Sequence, residues 1–408
     1  MSLTKATYSM INGACVNVLD YGADSTGSTD SRAAIQAAID AAMPTNGAVY
    51  IPNGTYIVST TLDCRNATGN SVSIVGETRL GTIITSTITT SIPVFKFANS
   101  TASEAWGSGV QNVTIKKVGA KLGIGILCEG VVGTQITNVT FSNLSIGLAL
   151  WNTNAGDYTE QIKFNETFFL FCDRGIQFQK FAGDPSFHGS GGSAYMVIDS
   201  DQIGIEAIGA FIYNTDIKLD AVGFANGANS PVMVEIKSAS VFKEGTAKIY
   251  IEDQTGGPGC AFNQITAGSW AVDTEVTVQG GLGYMVGTSP LNVGFSYANF
   301  SDVNDTNSAV GRFTAKTSIA AAASIIGMRN NVDGGLLLIR NSTSGGVALA
   351  VFESTGGGTV TIITDTNSNF STTVVASKIR LYFDTGVFKI QNNYATSQTV
   401  TYKLVSLD

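Results

Sequence analysis

Apolar and polar positions along this chain follow a helical period once and a strand period nearly everywhere else. Between Ser31 and Met43, Ala34, Ile35, Ala38, Ile39 and Ala42 recur at three- and four-residue steps, which predicts one amphipathic helix with a narrow apolar stripe. Asp30 precedes it as N-cap, because a carboxylate there accepts from the unpaired backbone N–H groups of the first turn. Gly47 is a stop signal, and Ala48 to Ile51 with Tyr56 to Ser59 read as two strands around the Pro52-Asn53-Gly54 turn. Short β-rich runs follow at Ile74 to Gly76, Thr82 to Thr85 and Val94 to Phe97, separated by Gly, Ser and Thr.

Two series then run in step. Val110 to Ile115, Ile136 to Phe141 and Ile162 to Thr167 begin 26 residues apart each time. The pairs Gly125-Ile126, Gly147-Leu148, Gly175-Ile176 and Gly204-Ile205 form the second series, with glycine at a tight corner before an inward aliphatic residue. Such a period predicts coils of a solenoid, each burying its apolar face on the next. Alternation within strands sets the faces. Met196 and Ile198 read as inward with Asp199 and Asp201 outward; Ile217 and Leu219 read as inward with Asp216, Lys218 and Asp220 outward. Likewise Val234, Ile236, Ile249 and Ile251 point in, leaving Glu235, Lys237, Lys248, Tyr250 and Glu252 on a charged outer wall.

Lys180 to Ser193, containing the only histidine, His188, reads as a long insertion projecting from the wall. Asn299 to Ser308 reads as a linker. Beyond Val310, strand candidates at 8 to 12 residue spacing predict an antiparallel sandwich: Leu336 to Asn341, Val347 to Phe352, Thr359 to Thr364, Ile379 to Phe383, Phe388 to Gln391 and Thr399 to Val405. The expected organisation is a short lead-in over 1–14, a parallel β-helix over 15–300 and a β-sandwich over 309–408.

Composition narrows the function classes. A formal charge of −8 argues against general binding to nucleic acid or to anionic membranes. Five cysteines (Cys15, Cys64, Cys128, Cys172 and Cys260), odd in number and without a C-x-x-C pair, read as buried thiols of a chain made in a reducing cytoplasm. There is no apolar run near membrane-spanning length, no signal peptide at Met1, no zinc spacing and no phosphate-cradling glycine loop followed by lysine, so neither membrane insertion nor a metal or cofactor is expected.

Gly22 to Ala42, GADSTGSTDSRAAIQAAIDAA, followed by Gly47 to Ser59, GAVYIPNGTYIVS, resembles the opening segment of right-handed parallel β-helix proteins of the pectate-lyase-like superfamily, bacteriophage tailspikes in particular. Thr4 to Asp24 is similar to the lead-in of phage tail proteins that act as capsule depolymerases. Gly334 to Asp365 and Phe388 to Asn393 resemble the C-terminal β-sandwich of some of those proteins, where it trimerises the spike or binds carbohydrate. The resemblance implies an all-β fold: a right-handed parallel β-helix with an N-terminal capping helix and a C-terminal antiparallel β-sandwich. It implies a homotrimeric tailspike on the virion tail, synthesised in the bacterial cytoplasm, acting at the host surface on a capsular or exopolysaccharide and docking on a tail adaptor protein. The alternative is a non-catalytic receptor-binding or structural spike.

For the chemistry, hydrolysis is placed ahead of lyase action. Asp199 and Asp201, two apart on one strand face, stand roughly 6 to 7 Å apart from the strand rise, near the lower end of the gap of about 6.5 to 9.5 Å used by inverting glycosidases. Asp216 is the third candidate carboxylate, and Asn214-Thr215-Asp216 resembles the N-T-D motif of polygalacturonases, whose D-D, G-H-G and R-x-K motifs are missing here. A lyase needs a base and a group that neutralises a uronate. Lys163, Tyr158, Arg174, His188, Tyr213 and Lys218 lie in the right region, and Lys163, His188, Tyr213, Lys218 and Asp220 are the expected substrate-binding residues.

Overall fold

The computed structural model describes residues 15–65, 70–98, 107–199, 202–224, 231–238, 240–243, 245–253, 260–264, 270–272, 275–279, 297–300, 313–319, 324–328, 334–353, 358–384 and 387–406. The chain divides into two compact units, Met1–Asp220 and Ala221–Asp408. The predicted lead-in and most of the predicted linker lie outside the described residues.

The first unit opens with the predicted helix, α1 (Arg32–Ala42). Ser31 takes the N-cap position without a side-chain cap bond, while Asp30 accepts from the backbone N–H of Arg32 at 3.0 Å. The Ser31 hydroxyl is used instead to tie down the preceding turn, bonding both the N–H and the carbonyl of Asp24. Ile35, Ala38, Ile39 and Ala42 are buried. Full burial of the two isoleucines contributes about 3–6 kcal/mol, which an eleven-residue helix needs because so short a segment is marginal on its own. The Arg32 guanidinium donates to the Thr61 carbonyl and Gln36 exchanges hydrogen bonds with the Asp63 backbone, so the helix is fastened over the first coil.

Behind the cap, strands stack in parallel columns. Ser73–Gly76, Gly109–Gln111, Gln135–Thr137 and Lys163–Leu170 pair in order, as do Gly54–Val58, Thr82–Ser86, Thr114–Lys117, Thr140–Ser142 and the later half of Lys163–Leu170. Pro93–Ala98, Ile124–Glu129, Ile146–Asn152, Arg174–Lys180 and Ile203–Ile208 form the facing sheet. The unit is a parallel β-solenoid. The glycine series holds as a column, Ile126, Leu148, Ile176 and Ile205, but each of its glycines is the second residue of a strand and not at a tight corner. At Gly175 a Cβ would come within 2.5 Å of the Gly204 carbonyl oxygen, and at Gly125 and Gly147 the reason is aromatic packing. Phe141 and Phe169 stack at 4.9 Å and 11° in the core, and a Cβ at Gly125 or Gly147 would come within 2.5 Å of Phe141 Cδ1 or Phe169 Cδ1 respectively.

Four other expectations change. The third member of the 26-residue series is displaced by two, since Phe164, not Ile162, pairs with Ile136. The segment 181–190 does not project as a loop: Phe187 is fully buried edge-to-face on Phe178 at 5.6 Å, and Ser190 is also fully buried. Cys15 is exposed, while Cys64, Cys128 and Cys172 are buried and desolvation raises their thiol pKa values, to about 12 for Cys128 and Cys172. Glu235 is not on an open outer wall but 5% exposed, with Lys237 Nζ at 3.2 Å.

Within the second unit, Val232–Lys237 pairs in parallel with Cys260–Gln264, and Thr246–Asp253 with Glu275–Gln279. After them come two sheets built mostly of antiparallel pairs. One orders Phe313–Ile319, Gln398–Ser406, Gly334–Asn341, Val347–Glu353 and Thr359–Asp365; the other orders Ser324–Met328, Val387–Asn392, Ile379–Asp384 and Phe370–Ser371. Phe352 of the first meets Phe388 of the second at 6.0 Å, with Leu337, Ile339, Ile379, Leu381 and Ile390 buried.

Candidate functional site

Between the two parallel sheets that share the Lys163–Leu170 strand, each coil turns a corner through a residue in the left-handed region. Asn112 (φ +58°) and Asn138 (φ +53°) fill this place in successive coils, and asparagine tolerates it better than other residues with a Cβ. Their amides form a ladder, Asn138 Nδ2 donating to Asn112 Oδ1 at 2.9 Å. In the next coil the place is taken by Glu166, at φ +50°. A glutamate has no side-chain amide to continue the ladder, so this backbone conformation costs on the order of 1 kcal/mol. The register shift between Phe164 and Thr167 surrounds it, and its backbone N–H donates to Ser193 Oγ at 3.1 Å.

The Glu166 side chain is exposed on a cleft of about 370 Å³ lined also by Arg79, Asn138, Phe168, Tyr195, Lys218 and Asp220. The outward column Thr114, Thr140, Phe168, Tyr195 forms one wall. Arg79 leans along it from an earlier coil. Its carbonyl accepts from Thr114 Oγ1 at 2.7 Å, its Nη1 donates to Thr140 Oγ1 at 2.8 Å, and its guanidinium carbon sits 3.9 Å above the Phe168 ring. The stack and the bond hold the cation in one place, with further N–H groups left over. Phe168 and Tyr195 lie 6.0 Å apart and tilted.

Glu166 and Asp220 bring two carboxylates to this cleft, and Arg79 and Lys218 bring two cations. Among the described residues none of the four is in an ion pair. The carboxylate-bearing residues are two coils apart, about 10 Å at the usual strand spacing. Such a cleft can hold a sugar ring against an aromatic face, neutralise an acidic substituent, and set an acid and a base on either side of a bond.

Of the residues predicted from sequence, Lys218 and Asp220 line this cleft. Asp216, exposed, begins the same strand (Asp216–Phe224). Asp199 ends the Gly191–Asp199 strand, half-buried, its backbone N–H bonded to Gln202 Oε1 at 2.9 Å; Asp201 lies outside the described residues. Lys163 opens the strand on the far side of the corner and donates to the Gly189 carbonyl. His188 and Tyr213 form a separate cluster, their rings 5.1 Å apart. There His188 Nε2 is 3.0 Å from Asn214 Nδ2, Tyr213 Oη is 2.8 Å from Ser186 Oγ, and Ser186 donates to Glu160 Oε1 at 2.8 Å. Arg174 is engaged on the facing sheet, where its Nε lies 3.2 Å from the buried Glu206 carboxylate. Sequence reading missed Arg79, Glu166, Phe168 and Tyr195. The signal for Glu166 was present, as the residue that interrupts the Asn112 and Asn138 column.

Among the described residues no group of three or more His, Cys, Asp or Glu side chains is placed to hold a metal ion, and no helix is long and apolar enough to cross a membrane.

Comparison with known proteins agrees with the opening segment. Residues 15–114 match the family described as rhamnogalacturonase A/epimerase, pectate lyase-like. Over 217 residues, 48% of this chain, the sequence is 30% identical to Depolymerase 1, capsule K3-specific, of Klebsiella phage KP32; the match covers 24% of that protein, so the chain spans only a fraction of its relative's length. Among solved structures, the tailspike gp49 of Acinetobacter baumannii bacteriophage Fri1, a capsular polysaccharide depolymerase, is 11% identical with a TM-score of 0.44, covering 96% of this chain and 86% of that one. The Streptococcus pneumoniae surface protein and adhesin PfbA is 14% identical with a TM-score of 0.41, covering 74% and 97%. The first unit is a parallel β-solenoid whose N-terminal segment matches a pectate-lyase-like family, and over about half its length the sequence is similar to a phage capsule depolymerase.

Proposed function

We propose that this chain belongs to a phage tailspike that binds and cleaves a bacterial surface polysaccharide, with glycoside hydrolysis ahead of lyase chemistry. The observation that carries the reading is the cleft in which Glu166 and Asp220 face two cations and two aromatic rings. Glu166 acts as general acid and Asp220 as the base that activates water, their two-coil backbone separation of about 10 Å leaving room for the water of an inverting pair and exceeding the gap of about 5 Å of a retaining one. Arg79 and Lys218 hold an acidic substituent of the substrate; Phe168 and Tyr195 carry sugar rings. Asp199, Asp201 and Asp216 belong in the same substitution series, because the strands of Asp199 and Asp216 run beside or into the cleft wall and Asp201 follows Asp199 in sequence. Sequence kinship to a depolymerase supports the polysaccharide as substrate.

In the same reading the coils are right-handed, as parallel β crossovers are almost without exception. Residues 15–300 form the β-helix and 309–408 the sandwich, three chains form the spike, and a tail adaptor carries it on the virion, where it works outside the host cell.

The test is incubation with a panel of purified capsular polysaccharides, Klebsiella K3 among them, following chain length and ultraviolet absorbance together. Shortening without new absorbance supports hydrolysis, and shortening with it shows lyase action. Binding without shortening would leave a receptor-binding spike and remove the enzymatic reading.

A further inference from the structure

A second cleft lies across the asparagine corner from the first, toward the N-terminal cap. It has a volume of about 290 Å³ and spans three successive coils, in which Ser73, Gly109 and Gln135 occupy one column. Its lining is chemically unlike that of the first. Gln111 and Gln135 present amides, Ser73 and Thr137 present hydroxyls, and Gly107, Gly109 and Gly133 leave backbone in reach; no charged or aromatic side chain lines it. Gly109 keeps the floor low, since a Cβ there would come within 2.4 Å of the Gln135 carbonyl oxygen.

The two clefts meet at the asparagine corner. Thr137 lines one and the next residue, Asn138, lines the other, with the Asn138 to Asn112 hydrogen bond as the ridge between them. Together they run from the coil of Ser73 to that of Asp220, five coil steps, or about 24 Å at the usual strand spacing. A chain of several sugar rings crossing the corner covers that distance.

We infer that the cleft of Gln111, Gln135 and Thr137 is a subsite for an uncharged, hydroxyl-rich sugar of the same polysaccharide whose acidic sugar rests over Arg79 and Lys218. This rests on the polysaccharide reading above and adds to it the composition and direction of the bound chain. Amides pair with vicinal hydroxyls as donor and acceptor at once, and without a charge they neither attract nor require an ionised substituent. Neutral rings therefore lie toward the cap and the charged ring toward Asp220.

The experiment uses size-graded fragments, made by mild acid, of whichever capsule in the panel the wild-type protein binds, and compares that protein with the double variant Gln111→Ala, Gln135→Ala. Both side chains are exposed, and circular dichroism checks that the fold is kept. The double variant is expected to raise KM or Kd about tenfold for long fragments, the equivalent of two neutral hydrogen bonds, with kcat and the shortest bound fragments unaffected. Turnover with an unchanged length dependence overturns the subsite and leaves the depolymerase reading standing. Long fragments that bind uncut, but more weakly to the variant, overturn the depolymerase reading and keep the subsite. No binding to any capsule overturns both.

Discussion

Glu166 occupies the corner that Asn138 occupies one coil earlier, with nearly the same backbone angle, +50° against +53°. The ladder rule is broken where the cleft opens, and a strained residue held by its surroundings is a mark of function more than of stability.

That relationship predicts a trade. Glu166→Asn restores the residue type the corner favours and is expected to stabilise the fold by about 0.5–1 kcal/mol, seen as a higher unfolding midpoint. The same change, like Glu166→Gln and Asp220→Asn, should lower kcat by about a hundredfold or more if these carboxylates move protons. A variant that is both more stable and fully active would remove Glu166 from the chemistry.

Arg79 is held by an aromatic face and one hydroxyl, a geometry that suits a planar guanidinium. Arg79→Lys should therefore behave nearly like Arg79→Ala, each raising KM about tenfold on an acidic polysaccharide, with the wild-type advantage shrinking as salt is added. Initial rates at two ionic strengths decide it.

Gly147→Ala places a methyl against Phe169 Cδ1 and near the Gly175 carbonyl, at 2.5 and 2.8 Å. Overpacking of this kind costs about 1–3 kcal/mol, to be read from chemical denaturation midpoints. Gly156→Ala is the control for space alone, since nothing lies within 4 Å of its Cβ direction, although its φ of +94° brings backbone strain of its own.

The turn before α1 predicts an acid-sensitive cap. The Thr26 hydroxyl, then the backbone N–H groups of Thr26 and Thr29, hold the Asp24 carboxyl well below its ordinary 3.8. Because the folded value is depressed, the carboxylate's contribution is complete above about pH 4, declines as pH falls below the ordinary value, and is lost only in strong acid. Asp24→Asn should lower the melting temperature at pH 7, with the gap from wild type narrowing only below pH 4. A constant gap through pH 2 would show that the charge is not the source.

How far the sequence reached follows from what each signal encodes. The glycine-aliphatic pairs predicted a whole column because glycine there is demanded by close neighbours, the Phe141 and Phe169 rings at Gly125 and Gly147 and the Gly204 carbonyl at Gly175, a local and repeated need. The Val110 and Ile136 repeats paired as read, but the third slipped by two because the stretch 153–161 lengthens the coil before Phe164. Phe187 was misread for a different reason. Its neighbours Gly183, Gly189 and Ser190 have loop composition, yet a solenoid coil also turns through such residues while driving an aromatic into its core. Arg79, Phe168 and Tyr195 are separated by a coil or more of sequence, and only the register brings them together.

The unequal coils have a consequence for how such a wall can be altered. Ile126 and Leu148 are 22 residues apart, whereas Ile136 and Phe164, in the adjoining sheet, are 28 apart, and yet each pair is in register. The stretch 153–161 absorbs the surplus without disturbing either column. The interior counts layers and is indifferent to the length of chain between them, so insertion, trimming or exchange of such stretches is a route by which one scaffold acquires new surfaces while its cap and core stay as they are.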